Sequence, residues 1–153
     1  LCALYGIEVF LAHGRVLDAW LRCDASGGAD GSDALSAAID YFRSLGARCF
    51  LPLWEAKRAL VAAAAGNVAR ATEALGCAVA DRDASGEVWA EAELERARAA
   101  VLRLQGADVA EVERALRAAL ALADRRGMQA WRARAERTLR EFQQADTAQG
   151  VRQ

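Results

Sequence analysis

The stretch "RRGMQAWRARAERTLREF", residues 125–142, places a glycine after two arginines and a tryptophan four residues after that glycine. Similar junctions occur at "LYGIEVFLAHGRV" (4–16), "SLGARCFLPLWEAKR" (44–58) and "DASGEVWAEAELERAR" (83–98). Their glycines are Gly6, Gly46, Gly86 and Gly127. The spacing of these glycines is nearly constant, at about 40 residues, and self-similarity at a fixed period is the sequence signature of a repeat protein.

An aromatic residue follows each of the four glycines at a nearly constant distance. Phe10, Phe50 and Trp131 come four residues after their glycine, and Trp89 comes three after. Glycine takes the left-handed conformation that ends a helix without a Cβ penalty. We therefore expect each glycine to end one helix, and each aromatic residue to begin the inward face of the next helix and anchor it on the previous hairpin. The alternative at the last junction is an aromatic and arginine ligand site around Trp131.

The composition favours helix along the whole chain. One proline in 153 residues, with abundant Ala, Leu, Arg and Glu, is typical of helical proteins. Apolar residues recur at period 3.6, and no convincing period-two stretch indicates a strand. Two examples of such stripes are Phe10, Gly14, Leu17 and Leu21 near the start, and Met128, Trp131, Ala135, Leu139 and Phe142 near the end.

These patterns predict an all-α fold of about seven helices. Short connections force neighbouring helices to run antiparallel, so the helices form hairpins of about 40 residues. The repeat units are roughly 6–45, 46–85, 86–126 and 127–145, within one domain that spans 1–153. Because each hairpin buries one face against its neighbours, we expect the units to stack as an α-solenoid.

Charge and hydropathy argue against several classes of protein. Twenty basic against 21 acidic residues give a formal net charge of −1, without the basic excess that nucleic-acid binding requires. No run of about 18 apolar residues predicts a membrane span, and no signal peptide is indicated. We expect a cytoplasmic protein, and the start at Leu1 suggests a piece of a longer chain.

Residues that commonly bind metals or catalyse reactions are sparse. The four cysteines are far apart in the sequence and include no Cys-x-x-Cys pair, and His13 is the only histidine, so we expect reduced thiols and no metal site. The segment "GGADGSDA" lacks the spacing of a phosphate-binding loop. We therefore expect no cofactor and no catalysis, and an enzyme would need a deep pocket that holds His13 beside a carboxylate.

Two stretches carry a resemblance to a known family: "GEVWAEAELERARAAVLRLQG" (86–106) and "VERALRAALALADRRGMQAWRARAERTLREF" (112–142). They resemble the C-terminal tetratricopeptide-like region of bacterial multidomain signalling ATPases, which often carry an adenylate/guanylate cyclase or a DNA-binding module. Glu95 stands where that family usually has histidine, Ala97 replaces leucine and Ala99 replaces glycine. The positions that match are Glu91, Ala92, Glu93, Leu94, Arg96, Arg98, Ala119, Leu120, Ala123, Gly127, Trp131, Arg134 and Ala135.

The resemblance implies a right-handed tetratricopeptide-like solenoid that acts as a noncatalytic interaction module. Its concave surface would bind a protein partner, or pack on the ATPase domain of the same protein to regulate it. Residues of the first helix of each hairpin project from that surface, and the candidates are Arg15, Arg22, Trp54, Arg58, Arg98 and Arg103. The alternative is a sensor that binds a small inducer inside the superhelix.

A solenoid has two ends, and both lack a neighbour. We expect the first residues and the last helix, with Met128, Trp131, Leu139 and Phe142 facing outward, to drive self-association of this chain. Sedimentation at rising protein concentration should show dimers or larger species. A sample that stays monomeric at high concentration would contradict this prediction.

Overall fold

The computed structural model describes residues 7–25 and 31–150, with side chains up to residue 148, and this part of the chain is entirely helical. Gly6 and Cys2 lie outside the described residues. The seven helices are α1 (Glu8–Ala25), α2 (Ser32–Ser44), α3 (Leu51–Ala64), α4 (Val68–Ser85), α5 (Glu91–Leu104), α6 (Val109–Arg125) and α7 (Gln129–Gly150). The all-α prediction with about seven helices is confirmed.

The helices pair into hairpins that stack in chain order. The pairs are α1 with α2, α3 with α4 and α5 with α6, and α7 follows the last pair. Within the described residues, the backbone of each helix contacts only helices of its own or an adjacent hairpin. This nearest-neighbour pattern is that of a helical-repeat solenoid.

The stack has two layers of helices. Helices α1, α3, α5 and α7 contact one another in succession, and we call them the inner layer because they border a cavity. In the part of the chain that the structure describes, α2, α4 and α6 make no backbone contact with one another. We call these three helices the outer layer. Successive hairpins therefore contact one another more closely in the inner layer than in the outer layer.

A glycine with a left-handed backbone follows each helix from α2 to α6. The φ angles are 75° at Gly46, 74° at Gly66, 71° at Gly86, 75° at Gly106 and 66° at Gly127. The glycines are therefore evenly spaced at about half the sequence period, so each repeat consists of two helix-plus-glycine units. After Gly106, for example, the Ala107 N–H donates to the Leu102 carbonyl at 3.0 Å, which satisfies one of the free acceptors of the helix end.

Small side chains fill the centre of the stack. The first hairpin has a core of large residues that includes Leu35, Ile39 and Phe42. Between the second and third hairpins most buried residues are alanines, namely Ala56, Ala59, Ala74, Ala78, Ala90 and Ala97. Alanine lets helix axes approach to the lower end of the usual range, about 8 Å. The abundant alanine is therefore a packing feature of this fold.

Successive hairpins are also joined by a row of aromatic rings. His13 lies 5.0 Å from Phe50, Phe50 lies 5.3 Å from Trp89, and Trp89 lies 5.6 Å from Trp131, measured between ring centroids. Phe50 adopts a φ of 66°, which is rare for a bulky residue, and its N–H donates to the Glu87 carboxylate at 2.9 Å. Each contact crosses from one repeat unit to the next. Phe50, however, is 40% exposed, and Phe50 and Trp89 precede α3 and α5 rather than beginning the inward faces of these helices.

The expected inward face of α1 differs from the observed one. Phe10 is 67% exposed and Leu21 is 56% exposed, so the predicted stripe faces solvent. The residues that α1 buries are Ala12, Val16, Ala19 and Cys23. Both faces of α1 carry apolar residues at period 3.6, and the face with the smaller residues packs because α2 and α3 approach it closely.

The end of the stack formed by α7 also differs from the expectation. Phe142 is buried, and Met128, Trp131 and Leu139 are half-buried rather than turned outward. Trp131 packs on the alanine core next to α5, and Leu139 and Phe142 pack with residues of α5 and α6. Among the described residues, the α1 end exposes Ile7, Val9, Phe10, Leu17 and Leu21, so the prediction of self-association now concerns that end.

Substituting two glycines by alanine should have opposite effects on stability. Gly106→Ala places a Cβ on a left-handed backbone in open space, so strain alone should lower the free energy of unfolding by about 1 kcal/mol. Gly76→Ala lies inside α4, also in open space, and should raise it by about 0.5–1 kcal/mol. Thermal unfolding followed by circular dichroism measures both. Equal shifts of the same sign would contradict the role assigned to the helix-ending glycine.

Candidate ligand cavity of the inner layer

A cavity of about 820 Å³ lies along the inner layer. Residues of α1, α3, α5 and α7 line it, and α6 contributes Val112 and Leu116. Each of the four repeat units contributes one equivalent residue to the lining. Each of these residues stands the same number of positions after the repeat glycine of its unit, and they are Trp20, Leu60, Ala100 and Glu141. The volume lies within the range of about 300–1,000 Å³ that is typical of small-molecule sites.

Trp20 brings the first and last inner helices into contact. The Lys57 ammonium of α3 lies 4.7 Å from the centre of the Trp20 ring. The Arg134 guanidinium of α7 lies 5.7 Å from the same ring. Both distances are within the range of a cation–π interaction. The side chains of α1 and α7 therefore meet beside the cavity, although the backbones of these helices are not in contact.

A buried carboxylate, Glu93 of α5, organises the cations of this region. Its side chain is 1% exposed and accepts a hydrogen bond from Lys57 Nζ at 3.0 Å. Arg96 donates to the same oxygen, Oε2, at 3.0 Å, and Arg134 lies 3.7 Å from Oε1. One carboxylate thus holds three cations that come from three successive helices of the inner layer. We call Glu93, Lys57, Arg96 and Arg134 the Glu93 cluster.

Burial and charge act in opposite directions on the two most buried members of this cluster. For Glu93, burial is the largest single effect and raises the pKa, but Arg96 and Lys57 together outweigh it, so the pKa lies below its ordinary value. For Lys57, burial lowers the pKa, and the attraction of Glu93 offsets this only in part. The fold therefore favours the charged form of Glu93 and disfavours the charged form of Lys57.

The cavity lining carries more positive than negative charge. Five cationic side chains line it, namely Lys57, Arg96, Arg103, Arg134 and Arg137. Asp24 and Glu141 are the carboxylates of the lining, and Glu93 adds a third beside it, so five positive charges face three negative ones. Arg103 and Arg137 form no ion pair with any carboxylate of the described residues. Arg103 instead stacks over Phe142 at 5.7 Å.

A second ion network lies outside the cavity and joins the first two hairpins. Arg43 of α2 donates to Asp81 of α4 at 2.7 Å and to Glu55 of α3 at 2.8 Å. Arg58 lies 2.8 Å from the other oxygen of Glu55, in an ion pair without hydrogen-bond alignment. Burial raises the pKa of Glu55, and the two arginines oppose that shift only in part. This network links helices rather than facing a ligand space.

The structure brings one of the six sequence-derived candidates to the cavity, Arg103. Trp54 is 3% exposed and belongs to the core, and Arg58 pairs with Glu55. The other three lie on the surface away from the cavity: Arg15 stacks on Tyr41, Arg22 pairs with Asp18 and Arg98 pairs with Glu95. The sequence-derived site candidates do not include Trp20, Lys57, Arg96, Arg134 and Arg137, which line the cavity.

The repeat register relates equivalent positions of the units but does not show which of them line the cavity. Arg58 and Arg98 stand two positions before Leu60 and Ala100, which occupy the lining position of their units. Two residues correspond to about 200° around a helix, so these positions point in nearly opposite directions. Choosing the inward face required knowing which side of each helix the next hairpin covers.

His13 and the cysteines are the residues that could support a catalytic or metal site. The His13 ring lies among Phe42, Phe50 and Trp54 outside the cavity, and burial lowers its pKa. Cys23, Cys49 and Cys77 carry thiols rather than disulfides. In the described residues, no group of His, Cys, Asp and Glu side chains is placed to hold a metal ion. None of the helices in this part of the chain has the length and hydropathy needed to cross a membrane.

Replacing Glu93 and Lys57 separately should have unequal effects on stability. Glu93→Gln leaves three cations without their carboxylate and should lower the free energy of unfolding by about 3 kcal/mol, equivalent to about 6–12 °C in melting temperature. Lys57→Met should cost less than half as much, because Glu93 keeps Arg96 and Arg134 and a desolvated charge is removed. Thermal unfolding at neutral pH measures both.

The pH dependence provides a second readout of the same pair. The contribution of a carboxylate with a lowered pKa is fully present above its unfolded pKa, about 4.3, and is lost as the pH falls through the folded pKa. The stability gap between the native chain and Glu93→Gln should therefore be constant from about pH 5 to 8 and shrink below about 4.3. A gap that widens in acid would contradict the assignment.

Comparison of the chain with protein-family models, with curated proteins and with solved structures gives no match. The resemblance of residues 86–106 and 112–142 to the tetratricopeptide-like region of bacterial signalling ATPases therefore stays a prediction.

Proposed function

We propose that this chain is a noncatalytic helical-repeat module that binds a protein partner at the cavity of its inner layer. The observation that carries the proposal is the convergence of equivalent repeat positions, Trp20, Leu60, Ala100 and Glu141, on one cavity. Repeat proteins present their binding surfaces on the concave side of the stack. A helix or loop of the partner would contact the apolar residues and pair with the surplus cations.

The parent protein in this proposal is a cytoplasmic bacterial signalling ATPase that carries a cyclase or a DNA-binding module. The sequence resemblance over residues 86–106 and 112–142 supports that assignment. In such a protein the module would bind a separate partner or pack on the ATPase domain, and binding would regulate the output of the parent. Nothing in this role requires direct contact with nucleic acid or a membrane.

A second candidate function is a sensor for a small inducer. It is favoured by the contact of Arg134 and Lys57 with Trp20, which brings α1 and α7 together beside the cavity. A bounded space of about 820 Å³ suits a compact ligand as well as a short protein segment. In this version the inducer binds inside the superhelix and changes the activity of the parent protein.

Blocking the cavity tests the proposal. Ala100 is half-buried and lines the cavity, so Ala100→Trp should fill part of it. A tagged wild-type chain should capture a partner from an extract of the source cells, identified by mass spectrometry, and Ala100→Trp should lose that partner. Ala133→Trp places the same side chain on an exposed part of α7 outside the cavity and should retain it.

Two further measurements complete this test. Ala64→Trp blocks the cavity from an exposed position and covers the case in which Ala100→Trp unfolds. A small-molecule extract free of protein should leave the melting temperature of the wild-type chain unchanged if the partner is a protein, and should raise it if the sensor version is right. Partners captured equally by all three variants would contradict binding at the cavity.

A further inference from the structure

We infer that the occupant of the cavity presents an anionic group together with an apolar surface, and that Arg103 and Arg137 are the residues that recognise the anion. The inference rests on the proposed function, because it assigns the chemistry of the same cavity. It goes further by separating the lining into residues that stabilise the fold and residues that are available to a ligand.

The cations of the cavity lining form two groups. Lys57, Arg96 and Arg134 share the buried carboxylate of Glu93 and are used by the fold. Arg103 and Arg137 line the same cavity but have no carboxylate partner among the described residues. A guanidinium with five donors and a permanent charge is suited to bind a carboxylate, phosphate or sulfonate in a bidentate manner. These two residues can pair with a ligand without breaking an internal ion pair.

The cavity carries a local excess of positive charge. Against five cations stand Asp24, Glu141 and the buried Glu93, which leaves a surplus of two positive charges at the cavity. The whole chain has a formal net charge of −1, so this surplus is local and does not reflect a basic protein. A cavity with apolar walls concentrates the field of such charges and attracts anions.

Part of the cavity lining is apolar. Leu60, Leu104, Leu116 and Phe142 border the space, and Trp20 presents an aromatic ring. The Arg103 guanidinium lies 5.7 Å from the centre of the Phe142 ring. An apolar group against the neighbouring wall would therefore have its anionic substituent within reach of the cation. An inorganic ion would leave these walls unused. The lining therefore fits an organic anion or an acidic side chain flanked by apolar residues.

Two naphthalene dyes that differ in one charged group test this inference. The probe 8-anilinonaphthalene-1-sulfonate carries a sulfonate, and N-phenyl-1-naphthylamine has the same aromatic frame without it. The double variant Arg103→Gln/Arg137→Gln should weaken binding of the sulfonate dye by at least about tenfold, because a hydrogen bond to a charged group contributes that much. The same variant should change the affinity for the neutral dye by less than about twofold. Fluorescence titration at fixed ionic strength measures both dissociation constants.

A charge-matched control separates specific contacts from general electrostatics. Arg114 and Arg140 are exposed, form no ion pair with the described carboxylates and do not line the cavity. Arg114→Gln/Arg140→Gln removes the same two charges from the chain and should leave the affinity for the sulfonate dye within about twofold of wild type. Equal losses in the two double variants would overturn the inference, as would an unchanged affinity in Arg103→Gln/Arg137→Gln.

The cavity-filling variants show which of the two proposals fails. In one outcome, Ala100→Trp and Ala64→Trp abolish binding of both dyes, but Arg103→Gln/Arg137→Gln changes the affinities for the two dyes by the same factor. The cavity is then a binding site without anion recognition, and only the inference is wrong. If the filling variants affect neither dye, both the cavity and its proposed anion recognition are wrong. Circular dichroism of each variant confirms that a loss of binding is not a loss of fold.

Discussion

Each reversal of the chain between α2 and α7 relies on a glycine in the left-handed conformation at the end of a helix. Only glycine takes this conformation without a steric cost, and it allows the next N–H groups to satisfy the last carbonyls of the helix. These ends recur at nearly equal intervals from Gly46 to Gly127. Helices of similar length are thereby reversed in regular succession. A stack of hairpins follows, since each helix can cover its apolar face only against its neighbours.

Both close packing of alanines and a buried cluster of charges hold the hairpins together. The interface around Ala59 and Ala74 brings the helices close but buries little area for each residue. The Glu93 cluster crosses the same part of the stack and joins three inner helices. A buried ion pair repays its desolvation only when good geometry and further partners support it. Glu93 accepts hydrogen bonds from Lys57 and Arg96 and has Arg134 at 3.7 Å as a third cation. Its lowered pKa is the signature of this arrangement.

The cavity lies where equivalent positions of the inner helices come together. Equivalent positions of successive inner helices project to the same side, so Trp20, Leu60, Ala100 and Glu141 meet although a whole repeat separates each from the next. Across the four repeats the position in space is equivalent, but the residue type differs. The side chain is an aromatic ring in Trp20, an aliphatic chain in Leu60, a methyl group in Ala100 and a carboxylate in Glu141. Repeats of this kind allow the lining to change without altering the backbone, which is why a recognition role belongs on this surface.

Local sequence was enough to predict the helical class, the number of helices and the glycine that ends each unit, because these depend on backbone conformation, on the helical period and on the longer repeat of the chain. It also indicated the aromatic contacts of Phe50, Trp89 and Trp131 with the preceding units. Packing between hairpins selected the buried face of α1 and the arginines that border the cavity. Both faces of α1 are apolar, and arginine occurs on every side of the inner helices, so periodicity alone cannot rank them. The choice depends on how closely the neighbouring helices pack and on which carboxylate, such as Glu93, lies within reach across the stack.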